Sequence, residues 1–234
     1  MRARATSTCE GVRALIATRS KEFEELLKTL ADAGSVYIVG CGDCATVLQT
    51  GGEYEVNEMT GKLQEQGKTV TGTIVPDVTC QILDIKRLLR KQADAVDAAD
   101  AVLVMACGCG IQAVAEVLEG KRVVAGLDTV FAADKGRAGE FYEYCSLCGD
   151  CVVDQYAGVC PVTRCPKGQL NGPCGGTDGG KCEVDSEKDC VWTLIYKRME
   201  TAGDADDVKH RLANAKKWEK GTKPHSYVFE PRRG

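Results

Sequence analysis

VYIVGCGDCATV, residues 36–47, is an apolar, β-prone run that breaks into glycine and cysteine. The run reads as a strand, Ser35 to Val39, with a turn after it. As Gly40-x-Gly42-x-x-Ala45, the turn has the form of a dinucleotide fingerprint. As Cys41-x2-Cys44, the same residues have a metal-ligand spacing at a strand end. A dinucleotide site needs an acid about 20 residues on to hold the ribose. The nearest candidate, Asp77, lies well beyond that gap, so the fingerprint is weak.

Neighbouring segments extend the metal reading. The spacing predicts a helix over residues 11–33, with Leu15, Phe23, Leu26, Leu27 and Leu30 on one face and Gly34 at its end. Helical turns follow over 44–50 and 53–66. A second strand over 69–75 stops at Pro76. Asp77 is the candidate cap of a helix that runs to Lys91 with Ile82, Ile85, Leu88 and Leu89 together. A third strand covers 101–105, a short helix 111–118, and a fourth strand 122–125. This alternation predicts an α/β fold, a Rossmann-like or flavodoxin-like parallel sheet with helices. The first three strands each deliver cysteine just past their carboxyl ends: Cys41 and Cys44, then Cys80, then Cys107 and Cys109. In a parallel sheet those ends share one edge, where open α/β sheets bind ligands. Four thiolates suffice for an iron–sulfur cluster. Gly40, Gly42, Gly108 and Gly110 would let backbone approach such a group and donate N–H groups to it. Unligated core cysteines are the plain alternative. A thiol redox pair at Cys41 and Cys44 is another.

Composition limits the function classes. The chain has 234 residues, 44% of them hydrophobic, which suits a folded core. Its net charge of -4 differs from the basic footprint of a nucleic-acid binder. No apolar run reaches the length of a membrane span, and the N-terminus lacks the apolar core of a signal peptide. A cytoplasmic location is expected. There the 14 cysteines should stay reduced, and clusters of them read as metal or redox centres. With two histidines, all-thiolate sites are favoured over mixed ones.

From residue 141 the texture changes. EYCSLCGDCVVDQYAGVCPVTRCPKGQLNGPCGGTDGGKCEVDSEKDC, residues 143–190, carries eight cysteines, much glycine and almost no apolar periodicity. It is expected to lack a conventional core and to be organised by metal. Cys145, Cys148 and Cys151 form C-x2-C-x2-C. Cys160 and Cys165 each precede proline, as the closing cysteine of a bacterial ferredoxin run does, although the gap before Cys160 is longer than a ferredoxin's. Cys174, Cys182 and Cys190 complete a set large enough for two four-iron clusters, or for one cluster and one zinc. A purely structural zinc ribbon is the alternative. Cys9 stands alone and is read as a non-ligand. The expected organisation is therefore residues 1–140 as the α/β domain, 141–192 as a cysteine-rich, metal-organised irregular domain, and 193–234 as a C-terminal helix, about 204–218, with an extended arm. His210 and His225 read as surface residues, and Asp204, Asp206 and Asp207 as a helix start. Trp192, Tyr196, Trp218 and Val228-Phe229 read as core or docking residues, the arm being a candidate docking segment.

The runs EYCSLCGDC, GVCPVTRCPKGQLNGPCGG and GKCEVDSEKDCVW resemble the methylenetetrahydrofolate reductase C-terminal domain family, including the iron–sulfur partner subunit of two-subunit reductases in acetogen-type anaerobes. The GCGDCA and CGCG runs fit the same family, which extends the resemblance over nearly the whole chain. It implies one to three [4Fe-4S] clusters, with zinc as a further metal, and no flavin in this chain. It implies a partner: a flavin-containing reductase barrel that converts methylene-tetrahydrofolate to methyl-tetrahydrofolate. Ferredoxin or another oxidoreductase is the implied electron donor. This chain is too short to contain such a barrel beside its own domains. The expectation is a non-catalytic electron-entry subunit, against a zinc scaffold of the same complex.

Overall fold

The computed structural model describes residues 15–137, 139–203, 218–221 and 224. The chain divides into two compact units, residues 1–142 and 143–234.

The first unit opens with β1 (Leu15–Ser20), then α1 (Phe23–Thr29), β2 (Ser35–Val39), α2 (Cys44–Val47), α3 (Glu53–Glu65) and β3 (Thr69–Ile74). It continues with α4 (Ile82–Lys91), α5 (Ala93–Asp97), β4 (Ala101–Val104), α6 (Gly108–Val117), β5 (Val123–Ala125), β6 (Leu127–Lys135) and β7 (Phe141–Cys145), which runs across the boundary. Four strands form a parallel sheet in the order β3-β2-β4-β5. Counting only these strands in chain order, the arrangement is 2-1-3-4, the start of the flavodoxin-like order. The central strands explain it: β4 is buried at every residue and β2 at Val36 through Val39, as strands covered on both faces must be. Helices add Leu26, Val56, Leu63, Ile85, Leu89 and Val114 to one core. Removing a side chain such as Leu103, fully buried in β4, costs about 2–5 kcal/mol.

Two readings of the sequence are corrected here. Residues 15–20 are a strand, not the start of a helix; β1 pairs antiparallel with β6. Leu15 and Ala17 bury one face of that strand, and α1 starts three residues after it, so apolar residues from two elements mimic one helical stripe. The remaining residues of that expected helix before 15 lie outside the described residues. A three-stranded sheet, β1-β6-β7, stands where no strand was expected. The second correction concerns Asp77, which does not cap α4. That helix begins at Ile82 with Gln81 at its N-cap, and residues 75–81 form a loop.

The second unit has its own small core, contrary to expectation. A 3-10 turn at Val153–Tyr156 leads to α7 (Pro161–Arg164), β8 (Lys181–Cys182), β9 (Asp185–Asp189) and α8 (Val191–Ala202). Tyr156, Val159, Val191, Trp192, Ile195 and Met199 pack together, with Cys165 and Cys190 against them. Trp192 is 1% exposed, meets Tyr156 edge to face at 5.5 Å, and donates its indole N–H to Gln169 O at 2.9 Å. This geometry uses both the apolar body and the polar tip of the ring. The helix expected at 204–218 lies outside the described residues, apart from the 3-10 turn Trp218–Gly221.

Candidate functional site

The first thiol field is built by three strand ends. Cys41 and Cys44 follow β2, Cys80 follows β3, and Cys107 is the N-cap of α6 after β4, with Cys109 in that helix's first turn. β2 and β4 are neighbours whose crossovers diverge, so the thiols gather at the switch point of the sheet, where the helices leave room for a ligand. Hydrogen bonds knit the loops together. Cys41 N donates to Gly51 O at 2.8 Å, and Gly42 N to Pro76 O at 2.8 Å. Thr79, fully buried, donates its hydroxyl to Gly40 O at 2.6 Å. Gly108 N donates to Thr129 Oγ1 at 2.7 Å. Thr79 and Thr129 were missed in the sequence; Thr79 had a faint signal, as the polar residue just before Cys80.

The thiols influence one another. Burial pushes the Cys80 thiol above its ordinary value, and Cys107, Cys41 and Cys109 push it further. Burial likewise raises Cys44, helped by Asp43, Cys41 and Cys107 against a backbone hydrogen bond from Ile16. Burial and then Cys107 raise Cys109. Cys44 and Cys80 each feel Cys41 and Cys107, and Cys109 feels Cys107, so ionising several of these thiols together is disfavoured unless a cation compensates them. Cys41 and Cys107 are buried, while Cys80 and Cys109 reach the surface.

The glycines serve the closeness of the loops. A Cβ on Gly40 would stand 2.6 Å from Gly51 O, and one on Gly42 would stand 3.0 Å from Pro76 O. At Gly110 it would meet Ala106 Cβ at 2.8 Å, whereas at Gly108 the nearest atom is Thr129 Oγ1 at 3.4 Å. The same contacts argue against a dinucleotide. Gly40 and Gly42 are filled by backbone from the neighbouring loops, and α2 has four residues, too short to offer a helix terminus to a pyrophosphate.

In the second field, the run Cys145–Cys151 turns tightly. Leu147 and Gly149 both have positive φ, 54° and 78°, and Leu147 N donates to Cys145 Sγ at 3.4 Å. Gln169 N donates to Cys165 Sγ, also at 3.4 Å. Cys160 and Cys165 flank α7, and Cys190 is the N-cap of α8. Burial opposes charge on Cys190, yet the N–H and hydroxyl of Thr193, the N–H of Trp192 and the hydroxyl of Thr177 outweigh it and hold this thiol below its ordinary value. Cys148 and Cys182 are half-buried, and Cys145, Cys151 and Cys174 are exposed. Cys9, His210 and His225 lie outside the described residues.

Among the described residues no three His, Cys, Asp or Glu side chains close to the distances of a single metal ion. A four-iron cluster seats each thiolate on a different iron, so its ligands stand farther apart than those round one ion. The donor sets are soft, all sulfur, and supplied with N–H groups, which fits iron–sulfur or thiolate zinc chemistry. No described helix is long and apolar enough to cross a membrane.

No curated protein and no solved structure matches the chain. Residues 124–219, which run from β5 through most of the second unit, match the family model described as methylene-tetrahydrofolate reductase C terminal, a match that leaves out the GCGDCA and CGCG runs of the first unit.

Proposed function

We propose that this chain is an iron–sulfur electron-transfer subunit of a methylenetetrahydrofolate reductase in one-carbon metabolism of the Wood–Ljungdahl type. It binds the flavin-containing barrel subunit, in the cytoplasm, and relays electrons toward its flavin. The observation that carries the reading is the convergence of Cys41, Cys44, Cys80, Cys107 and Cys109 at one sheet edge, in a chain with a reductase C-terminal domain. Bound clusters would supply one-electron acceptance and release at potentials set by their surroundings. The residues of the chain do the rest. Four of the five thiols are the ligands of the first field, and the eight from Cys145 to Cys190 serve the second. Gly40 and Gly42 hold the loops close, and Thr79 fixes the loop that carries Cys80. No group in either field pairs a nucleophile with a general base, so the reduction of the folate belongs to the partner.

Iron, zinc and acid-labile sulfide per chain, on protein purified without oxygen, test this. About eight or more irons with matching sulfide are expected. Zinc near one per chain, with negligible iron and sulfide, would replace the reading with a zinc scaffold of the same complex. The C-x2-C-G turn at Cys145–Gly149, with its N–H on sulfur, favours that second reading for one site, since zinc uses the same paired cysteines. About four irons plus one zinc would divide the two fields between the metals.

A further inference from the structure

The sheet edge that gathers the thiols also carries most of the first unit's uncovered apolar surface. Among its described residues, the exposed large apolar side chains are Val47, Tyr54, Ile82, Leu83, Val130 and Tyr142. The first five lie on segments that leave this edge. Val47 closes α2, which starts at Cys44, and Tyr54 is in the first turn of α3. Ile82 and Leu83 open α4 just after Cys80, and Val130 follows Thr129, the partner of Gly108 N. Tyr54 is 76% exposed and Leu83 82%, while the same helices satisfy the core with Val56, Met59 and Leu63, and with Ile85 and Leu89. Single exposed apolar residues are ordinary; their concentration at one edge marks a contact surface.

Acidic residues predominate at this edge. Residues 41–55, 76–84, 106–112 and 127–131 contain six acids and no lysine or arginine. Two of the six are paired with cations from outside these segments, Asp84 with Arg87, and Asp128 with Lys21 and Arg19. Glu53 and Asp77 instead border a cleft of about 650 Å3 beside Tyr54.

We propose that this edge docks the electron donor, a redox protein whose contact face is apolar at its centre and rimmed by lysine or arginine. The inference rests on the electron-transfer reading above. The stretch shared with reductase C-terminal domains begins at residue 124, so the part held in common with reductases leaves Cys41 to Cys109 out. A cluster held by these thiols would accept the one electron that the donor gives up, with no bond made to hydrogen. An acidic donor face would be repelled here.

Ferric cytochrome c, with its lysine-rimmed haem edge, is the basic probe, and an acidic ferredoxin the counter-probe. Binding of each to the full chain is measured by calorimetry at rising ionic strength. Cytochrome c is expected to bind and to weaken with salt, and the ferredoxin to bind far less. Leu83→Ser and the pair Glu53→Lys with Asp77→Lys should each weaken cytochrome c binding about tenfold or more. The same charge change on the exposed residues Glu65 and Glu119, away from the edge, should alter it little. Equal weakening by the remote pair, or wild-type binding by Leu83→Ser, would overturn the docking face. Co-purification of the reductase subunit with Leu83→Ser should persist, and its loss would reassign the face to the reductase. Metal analysis of the same samples separates a failure of docking from a failure of the iron–sulfur reading.

Discussion

The two cysteine fields are held by opposite means. In the first unit a parallel sheet with fully buried central strands sets the positions of strand ends, and thiols are carried on them. In the second, six buried apolar residues form the core among the described residues, and the cysteines sit on long turns where Leu147, Ala157 and several glycines take positive φ. A scaffold of the first kind stands without its ligand. On the proposed reading, metal binding by the second field would be coupled to its folding, since the core formed by its described residues is small. On that reading the first field would be loaded into a finished fold, while the second would be built around what it binds.

Metal removal breaks this comparison with the largest effect. After anaerobic chelation, hydrogen exchange should rise strongly across 145–190 and remain slow in β2 and β4. A structural zinc contributes about 10–16 kcal/mol to folding in zinc-finger peptides, far more than the small core here supplies. Equal protection in both units after chelation would show that the second core suffices alone.

Trp192→Ala comes next, at about 3–5 kcal/mol, because it removes the largest buried side chain of the second core and the bond to Gln169 O. In urea, the second unit should unfold at lower concentration while the transition of the first stays put. Leu103→Ala should do the reverse. A single shared transition that moves with both variants would mean that the units fold as one.

Cys80→Ser sharpens the comparison within one field. Cys80 is exposed and lies on a loop, so the variant should fold as the wild type does. Yet the first field should lose its visible absorption and its share of iron, with the second unaffected. Thr79→Val, next to it, keeps the shape but leaves Gly40 O without its donor, at about 1–3 kcal/mol. Thermal unfolding of the first unit measures that loss. An unchanged midpoint would mean that Thr79 is not what fixes the Cys80 loop.

How much of this was readable in the sequence follows the same division. β2 at Ser35–Val39 was read without error, and β3, β4 and β5 to within a residue: β2 and β4 are short buried apolar runs, and β3 is a half-exposed run of β-branched residues closed by Pro76. Once their order is known, the edge that collects Cys41, Cys80 and Cys107 needs no side-chain detail. β6 was not readable: of its nine residues only Leu127 and Ala133 are buried, so alternation is lost. α8 was missed because Val191, Trp192, Ile195 and Met199 follow directly on the cysteine-rich run, whose glycine content hides a helix start. The division of eight thiols among sites depends on turn conformations such as that of Leu147, which no local residue preference announces.

The smallest expected effect is the sign of a pH dependence, opposite in the two fields of metal-free protein. Burial and neighbouring thiols raise Cys44, Cys80 and Cys109 in the first unit. A thiol raised in the folded state keeps its proton while the unfolded chain loses it. The folded state is therefore favoured below the ordinary thiol range and loses stability as pH rises through that range toward the raised values. Cys190 runs the other way. Its donors from Thr193, Trp192 and Thr177 favour the thiolate against burial, so its contribution is present above the ordinary range and fades as pH falls through the lowered value. Unfolding by urea at neutral and at alkaline pH, followed unit by unit through hydrogen exchange, should show the first unit weakening on the alkaline side and residues near Cys190 gaining. Bound metal fixes every ligand as thiolate, so loaded protein should lose both slopes over this range. A slope that persists after loading would belong to thiols outside the ligand set, and serine at each thiol of the first field in turn would identify the surplus one.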